Sequence, residues 1–230
     1  MEFKTGTTIV GIRYKTGVVL CADTRSTSGP IVADKNCEKI HFISNKIMCC
    51  GAGTAADTRR VTRMASKELQ LFSYRLLKNP YISHCERIIC DYLHSYGGQI
   101  GAALVLGGID LNGPKLFSIS PNGYSTSLEF TSMGSGSIAA ISVLENEFKK
   151  NLSKEEAINL GCKAVKSGIL NDLYSGSNVD VCVIDISGVE EFRNYWKVES
   201  RKDESEIKYP KDSVMILKEQ IFEIVQEVIE

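Results

Sequence analysis

Apolar and polar positions alternate along the chain with two different periods, in separate blocks. Thr8 to Tyr14 and Val18 to Asp23 read as strands joined by a Lys15-Thr16-Gly17 turn. Ser26 to Pro30, rich in Ser, Thr, Gly and Pro, reads as a loop. Lys39 to Ile43 and Lys46 to Cys50 follow as strands about a Ser44-Asn45 turn. The period then becomes helical: Val61, Met64, Ala65, Leu69, Phe72 and Leu76 fall on one face. Ser83 and Glu86 have capping-box spacing, and Cys85, Ile88, Ile89, Tyr92, Leu93 and Tyr96 form the apolar stripe of a second helix. Strands return at Ile100 to Ile109, Lys115 to Ser120 and Ser127 to Ser132. A helix is predicted over Ser137 to Lys149, and a capping box at Ser153 and Glu156 opens another through about Leu173. Asn178 to Ile186 is a continuous apolar strand, and Glu190 to Val198 reads as one more.

Strands, two helices, strands, two helices, strands is an α+β order, and no repeat is evident. Segregated blocks imply packed layers, not βαβ alternation. Two antiparallel sheets face to face, each flanked by a helix pair, bury every apolar face as a four-layer αββα sandwich. Glu199 to Lys208 is a charged run that reads as a solvated linker. Beyond it, Val214, Ile216, Leu217, Ile221, Ile224, Val225 and Val228 are too apolar for a solvated tail. That segment either packs on its own core or reaches onto another subunit.

Composition adds exclusions. The 230 residues suffice for a sizeable core, and a net charge of −1 gives no broad surface for nucleic acid or membrane. No apolar run approaches the roughly 20 residues that span a bilayer. Met1 to Gly6 lacks the apolar region of a secretory signal. The eight cysteines (Cys21, Cys37, Cys49, Cys50, Cys85, Cys90, Cys162, Cys182) form no CxxC pair, and most lie in apolar elements, which reads as reduced thiols in an intracellular protein. His41, His84 and His94 show no metal spacing.

The candidate chemistry begins at Gly6-Thr7-Thr8, directly before the first strand. Cleavage after Gly6 exposes at Thr7 a hydroxyl nucleophile and a free amine base on one residue. An α-amine has a reference pKa of about 7.7–8.0, close to working pH, and a nearby ammonium favours its neutral form. Lys39, at the start of a strand, is a candidate for that charge, and Asp23, at the end of another, for the group that holds the lysine; surface ion pairs are the plainer reading of each. Gly51-Ala52-Gly53-Thr54 joins a strand to a helix, where the Gly53 N–H is placed to donate to an oxyanion. Gly134-Ser135-Gly136-Ser137 opens another helix; it reads equally as a phosphate-binding turn but lacks the Lys-Ser/Thr ending of a P-loop.

Several stretches together carry a family resemblance. They are Thr7-Thr8-Ile9-Val10-Gly11, Ala22-Asp23-Thr24-Arg25, Gly29 through His41, Cys49 through Thr58, Met133 through Ser137 and Asp172 through Ser177. The chain resembles the proteasome beta subunits of the N-terminal nucleophile hydrolase superfamily (peptidase family T1), and among them the trypsin-like class. The resemblance implies a propeptide over 1–6, a catalytic domain over 7–198, and a C-terminal extension over 199–230 that reaches a neighbouring subunit through Tyr209-Pro210 and the apolar stretch after it. It implies a threonine endopeptidase that cuts unfolded polypeptides through an acyl ester at Thr7 and that processes itself between Gly6 and Thr7. Asp23 and Lys39 then orient and tune Thr7; Ser135, Asp172 and Ser175 support its amine; Gly53 is the oxyanion donor. Thr27 and Ala55 are implied as backbone clamps on an extended substrate. Ser26, Asp34, Cys37, His41, Gly51 and Arg59 are implied at the substrate-binding site, where the small Gly51 leaves a deep pocket. The implied partners are the other alpha and beta subunits of stacked heptameric rings, in cytoplasm and nucleus, with no nucleic acid, membrane, metal or cofactor.

Arg59 departs from the class, which places an acidic residue there. It either repels a basic substrate side chain or turns away to pair with Asp57 or Glu38. Two rival readings stand beside the catalytic one: a non-catalytic ring subunit and a stand-alone amidase of the superfamily.

Overall fold

A computed structural model describes residues 6–198 and Gln220. The strands are β1 (Ile9–Tyr14), β2 (Gly17–Asp23), β3 (Ser26–Ser28), β4 (Ile31–Asp34), β5 (Ile40–Ser44) and β6 (Ile47–Gly53). Helices α1 (Ala55–Leu76) and α2 (Ile82–Ser95) precede β7 (Ala102–Asp110), β8 (Gly113–Ile119), β9 (Ser125–Ser127) and β10 (Phe130–Met133). Helices α3 (Ser137–Glu147) and α4 (Lys154–Asn171) precede β11 (Asn178–Asp185) and β12 (Gly188–Lys197).

Two five-stranded antiparallel sheets form, ordered β10-β1-β2-β11-β12 and β5-β6-β7-β8-β9, with β3 and β4 as a separate ribbon. The alternation of side chains across each strand explains the layers. Val10, Ile12, Val19 and Cys21 point to α3 and α4, while Ile9, Val18, Leu20 and Ala22 point to the second sheet. In that sheet Met48, Cys50 and Val105 meet the first, and Ile47, Cys49, Leu104 and Leu106 meet α1 and α2. Three apolar seams thus join four layers, the expected αββα sandwich. All eight cysteines are free thiols, and seven are buried.

Some expectations are corrected. The segment expected as a loop at Ser26 to Pro30 instead opens the β3-β4 hairpin. The strand expected from Ser127 to Ser132 is cut in two: β9 edges one sheet and β10 the other, so this short stretch crosses the sandwich. The Ser153–Glu156 capping box forms, with both reciprocal hydrogen bonds, but no box forms at Ser83 and Glu86, because α2 starts at Ile82 with Tyr81 as N-cap. Glu86 instead accepts a hydrogen bond from the Ser125 hydroxyl. Leu76 and Tyr96, both expected on buried faces, are exposed at the ends of their helices. His84 stacks edge-on against Phe72 with ring centroids 4.2 Å apart, joining α1 to α2. The segment from 199 onward, including the expected arm after Tyr209-Pro210, lies outside the described residues, as do residues 1–5.

Candidate active site

One end of the first sheet gathers the residues that the chemistry needs. Antiparallel pairing of β1 with β2 sets Ile9 opposite Ala22, so Asp23 stands beside Thr8 and its N–H donates to the Thr8 carbonyl at 3.0 Å. Pairing of β1 with β10 sets Ile9 opposite Met133, which brings Gly134-Ser135-Gly136 against Thr7. Asp172 through Ser177 lead into β11 on the other side of β2. Lys39, directly before β5, reaches in from the second sheet.

Thr7 is buried, and Lys39 Nζ donates to Thr7 Oγ1 at 3.0 Å, to the Gly6 carbonyl at 3.0 Å and to Asp23 Oδ1 at 2.7 Å. The Thr7 hydroxyl donates to the Gly6 carbonyl oxygen at 2.7 Å. Asp23 is wholly buried and also accepts from the N–H groups of Thr8 at 2.9 Å and Gly176 at 3.1 Å. Burial pushes its carboxyl above the ordinary value, and the Lys39 ammonium and these two N–H groups pull against that rise. The Asp23 carboxylate therefore fixes the Lys39 ammonium against the threonine hydroxyl.

A second cluster surrounds the Thr7 nitrogen. Its N–H donates to Ser135 Oγ at 3.0 Å, and Ser135 Oγ donates to Asp172 Oδ2 at 2.6 Å. Ser175 Oγ donates to the same carboxylate oxygen at 2.6 Å and lies 2.8 Å from Thr8 Oγ1. Thr7, Asp23, Lys39, Ser135, Asp172 and Ser175 are thus one connected network. Cleavage after Gly6 would leave a free amine at Thr7, beside its hydroxyl and within hydrogen-bond reach of Ser135 Oγ.

The motifs at Gly6 and Gly134 are legible in the sequence, but the steric reason for glycine at each is not. Gly134 has φ +97°, and a Cβ there would lie 2.2 Å from the Thr7 carbonyl oxygen. Gly6 is packed on Tyr174, where a Cβ would come within 2.0 Å of the Tyr174 Cβ. Thr8 links Asp23, Ser175 and α4, a role its place in the Thr7-Thr8-Ile9-Val10-Gly11 stretch does not reveal.

The expected substrate-binding residues divide. Thr27 joins the cluster directly: its hydroxyl accepts the Gly6 N–H at 3.1 Å. Ser26 and Asp34 face each other across the β3-β4 ribbon, and Asp34 accepts the Asn36 N–H at 2.9 Å; no hydrogen bond among the described residues ties either to Thr7. Cys37 is half-buried, and burial raises its thiol above the ordinary value, which keeps a rival nucleophile protonated. Gly53 ends β6 at φ +114°, where a Cβ would lie 2.3 Å from the Gly101 carbonyl oxygen. Gly51 packs against Thr58 of α1, whose Cβ lies 2.8 Å from where a Cβ on Gly51 would be. Ala55 opens α1.

His41 and Arg59 line one groove with Glu38, Thr62, Arg63 and Lys67. Burial lowers the His41 imidazole below its ordinary value, and the Arg59 charge lowers it further. Arg59 is exposed and makes no ion pair among the described residues. Of the two alternatives for Arg59, the pairing with Asp57 or Glu38 does not form among the described residues, and Asp57 accepts the Gly101 N–H at 3.0 Å.

Four layers with a threonine at the head of the first strand define the N-terminal nucleophile hydrolase fold. A family model described as proteasome subunit matches residues 3–184. The probable proteasome subunit beta type-2 of Encephalitozoon cuniculi is 58% identical over 99% of this chain and 100% of its own length. Proteasome subunit beta type-7 of Dictyostelium discoideum is 55% identical, over 86% of this chain and 75% of its own length. Proteasome subunit beta type-2 of Saccharomyces cerevisiae is 48% identical, over 96% of this chain and 85% of its own length. This chain belongs to the proteasome subunit family, in its beta type-2 class. Peptidase activity in general is what that membership implies. No helix among the described residues is long and apolar enough to cross a membrane.

Proposed function

We propose that this chain is a catalytic beta subunit of the proteasome core particle, an endopeptidase that cuts unfolded polypeptides with Thr7 after its own cleavage from Gly6. One observation carries the reading: Lys39 Nζ stands 3.0 Å from Thr7 Oγ1 and from the Gly6 carbonyl oxygen, clamped by Asp23. The ammonium aims at the nucleophile and at the oxygen where negative charge develops.

Processing then runs within the chain. Thr7 Oγ1 attacks the Gly6 carbonyl carbon and gives up its proton, and the Lys39 ammonium stabilises the oxyanion. The C–N bond breaks, a proton goes to the Thr7 nitrogen, and an ester joins Gly6 to Thr7. Water hydrolyses that ester, releasing the Gly6 carboxylate and leaving Thr7 with a free hydroxyl and amine.

Turnover repeats the attack on a substrate carbonyl. The freed amine accepts the hydroxyl proton, directly or through water, and later returns it to the leaving amine. Ser135, positioned by Asp172, orients that amine. The Gly53 N–H serves the substrate oxyanion, the β3-β4 ribbon and Ala55 hold the substrate backbone, and the groove at His41 and Arg59 takes the side chain before the scissile bond. The rings of alpha and beta subunits are the setting for this work. Thr7→Ala tests the reading: the account expects no peptide cleavage at this site and Gly6 still attached, and retained cleavage at this subunit's site refutes it.

A further inference from the structure

Gly6 is pinned at both of its polar groups. Its carbonyl receives the Thr7 hydroxyl and the Lys39 ammonium, whereas its N–H donates to a side chain, Thr27 Oγ1, at 3.1 Å. Both residues are buried, so no bulk water replaces that partner. Thr27 sits where the pairing of β3 with β4 shifts register, between Ser26 and Thr27. Such an irregularity re-aims a side chain. Tyr174 closes a third side of Gly6. The scissile peptide is held at its carbonyl by Lys39 and at its Thr7 N–H by Ser135, and the Thr27 contact fixes the Gly6 N–H one peptide unit upstream, which limits rotation of Gly6 about its own φ and ψ.

We propose that the Thr27 hydroxyl is a positioning residue for processing: it grips the Gly6 N–H and presents the Gly6 carbonyl carbon to Thr7 Oγ1. This role belongs to the side chain and is separate from any backbone contact of Thr27 with substrate. It rests on the reading that the Gly6–Thr7 bond is cut by Thr7. Once that bond is cut, Gly6 departs and the hydroxyl is released from this contact.

The test compares variants of the full chain assembled with its partner subunits, following cleavage after Gly6 by intact mass over time. Thr27→Val keeps the shape and suits a strand but cannot accept the hydrogen bond. Thr27→Ser keeps the hydroxyl and loses a methyl group. Loss of one buried hydrogen bond is worth about tenfold in rate, so Thr27→Ser is expected to process about ten times faster than Thr27→Val. Equal rates for the two overturn the inference while leaving the proposed function in place. If Thr27→Val does not assemble, Thr27→Ala takes its place: slower processing than Thr27→Ser supports the inference, and equal rates overturn it. A wild-type chain that is never cut after Gly6 overturns the proposed function itself, and this inference with it.

Discussion

At the residue scale the account rests on a buried ion pair. Lys39 and Asp23 meet at 2.7 Å, with the lysine side chain 8% and the aspartate side chain 0% exposed. Removing one partner of such a pair leaves an uncompensated buried charge, at a typical cost of about 3–5 kcal/mol. Lys39→Ala is therefore expected to lower stability by that order in denaturant titration and to block cleavage after Gly6. A variant that keeps wild-type stability and processing contradicts the role given to the pair. Arg59 carries the second residue-scale prediction. Like charges about 4 Å apart repel by roughly 4 kcal/mol at an effective dielectric near 20, before screening weakens this for an exposed group. Fluorogenic peptides with Arg before the scissile bond are thus expected to turn over more slowly at this site than those with Leu or Asp. Arg59→Glu is expected to raise turnover of the Arg peptide roughly tenfold. Preferred turnover of Arg peptides by the wild-type site sinks this prediction.

At the element scale, the site depends on how closely α4 lies on the start of β1. A Cβ at Gly168 would come 2.4 Å from the Thr8 methyl, and one at Gly136 would come 2.0 Å from Thr8 Oγ1. Gly168→Ala is expected to push α4 away from Thr8, costing about 1–3 kcal/mol by overpacking and slowing cleavage after Gly6. Intact mass and thermal unfolding read the two effects. The far end of α4 offers a pH-dependent contrast. The backbone N–H and hydroxyl of Ser153 hold the Glu156 carboxyl below its ordinary value. The cap's stabilisation is therefore present above the unfolded value and lost as pH falls through the lower folded one. Ser153→Ala is expected to lower the denaturation midpoint at neutral pH, with the difference shrinking on acidification. What the sequence made legible follows the same physics. Long periodic segments such as α4 and β2 were clear, because burial on one face or both leaves a pattern. The passage from β9 to β10 was not, since a strand that switches sheets keeps the same local alternation. The Thr7, Asp23, Lys39 and Ser135 cluster was legible as motifs, but its closeness depends on strand register. The close packing of Thr58 on Gly51 and the lack of an ion pair for Arg59 among the described residues depend on packing between elements, which local pattern does not encode.

At the scale of the whole molecule, the sandwich brings five separated stretches of chain (around Thr7, Asp23, Lys39, Ser135 and Asp172) to one end of a sheet and holds the Gly6 carbonyl against the Thr7 hydroxyl. The extension over 199–230 is proposed as an arm onto a neighbouring subunit. Its removal, as a deletion of residues 200–230, is expected to reduce the yield of complete particle on native mass measurement; full assembly without it counts against that role. The central claim is that the Gly6–Thr7 junction is a latent active site, opened by the residue next to it. The most direct measurement is the intact mass of this chain purified from assembled particles, wild type beside Thr7→Ala. The account predicts that the wild-type chain begins at Thr7 and that the variant retains Gly6. A wild-type chain in active particles that still carries Gly6, or a Thr7→Ala chain cut at the same bond, contradicts it.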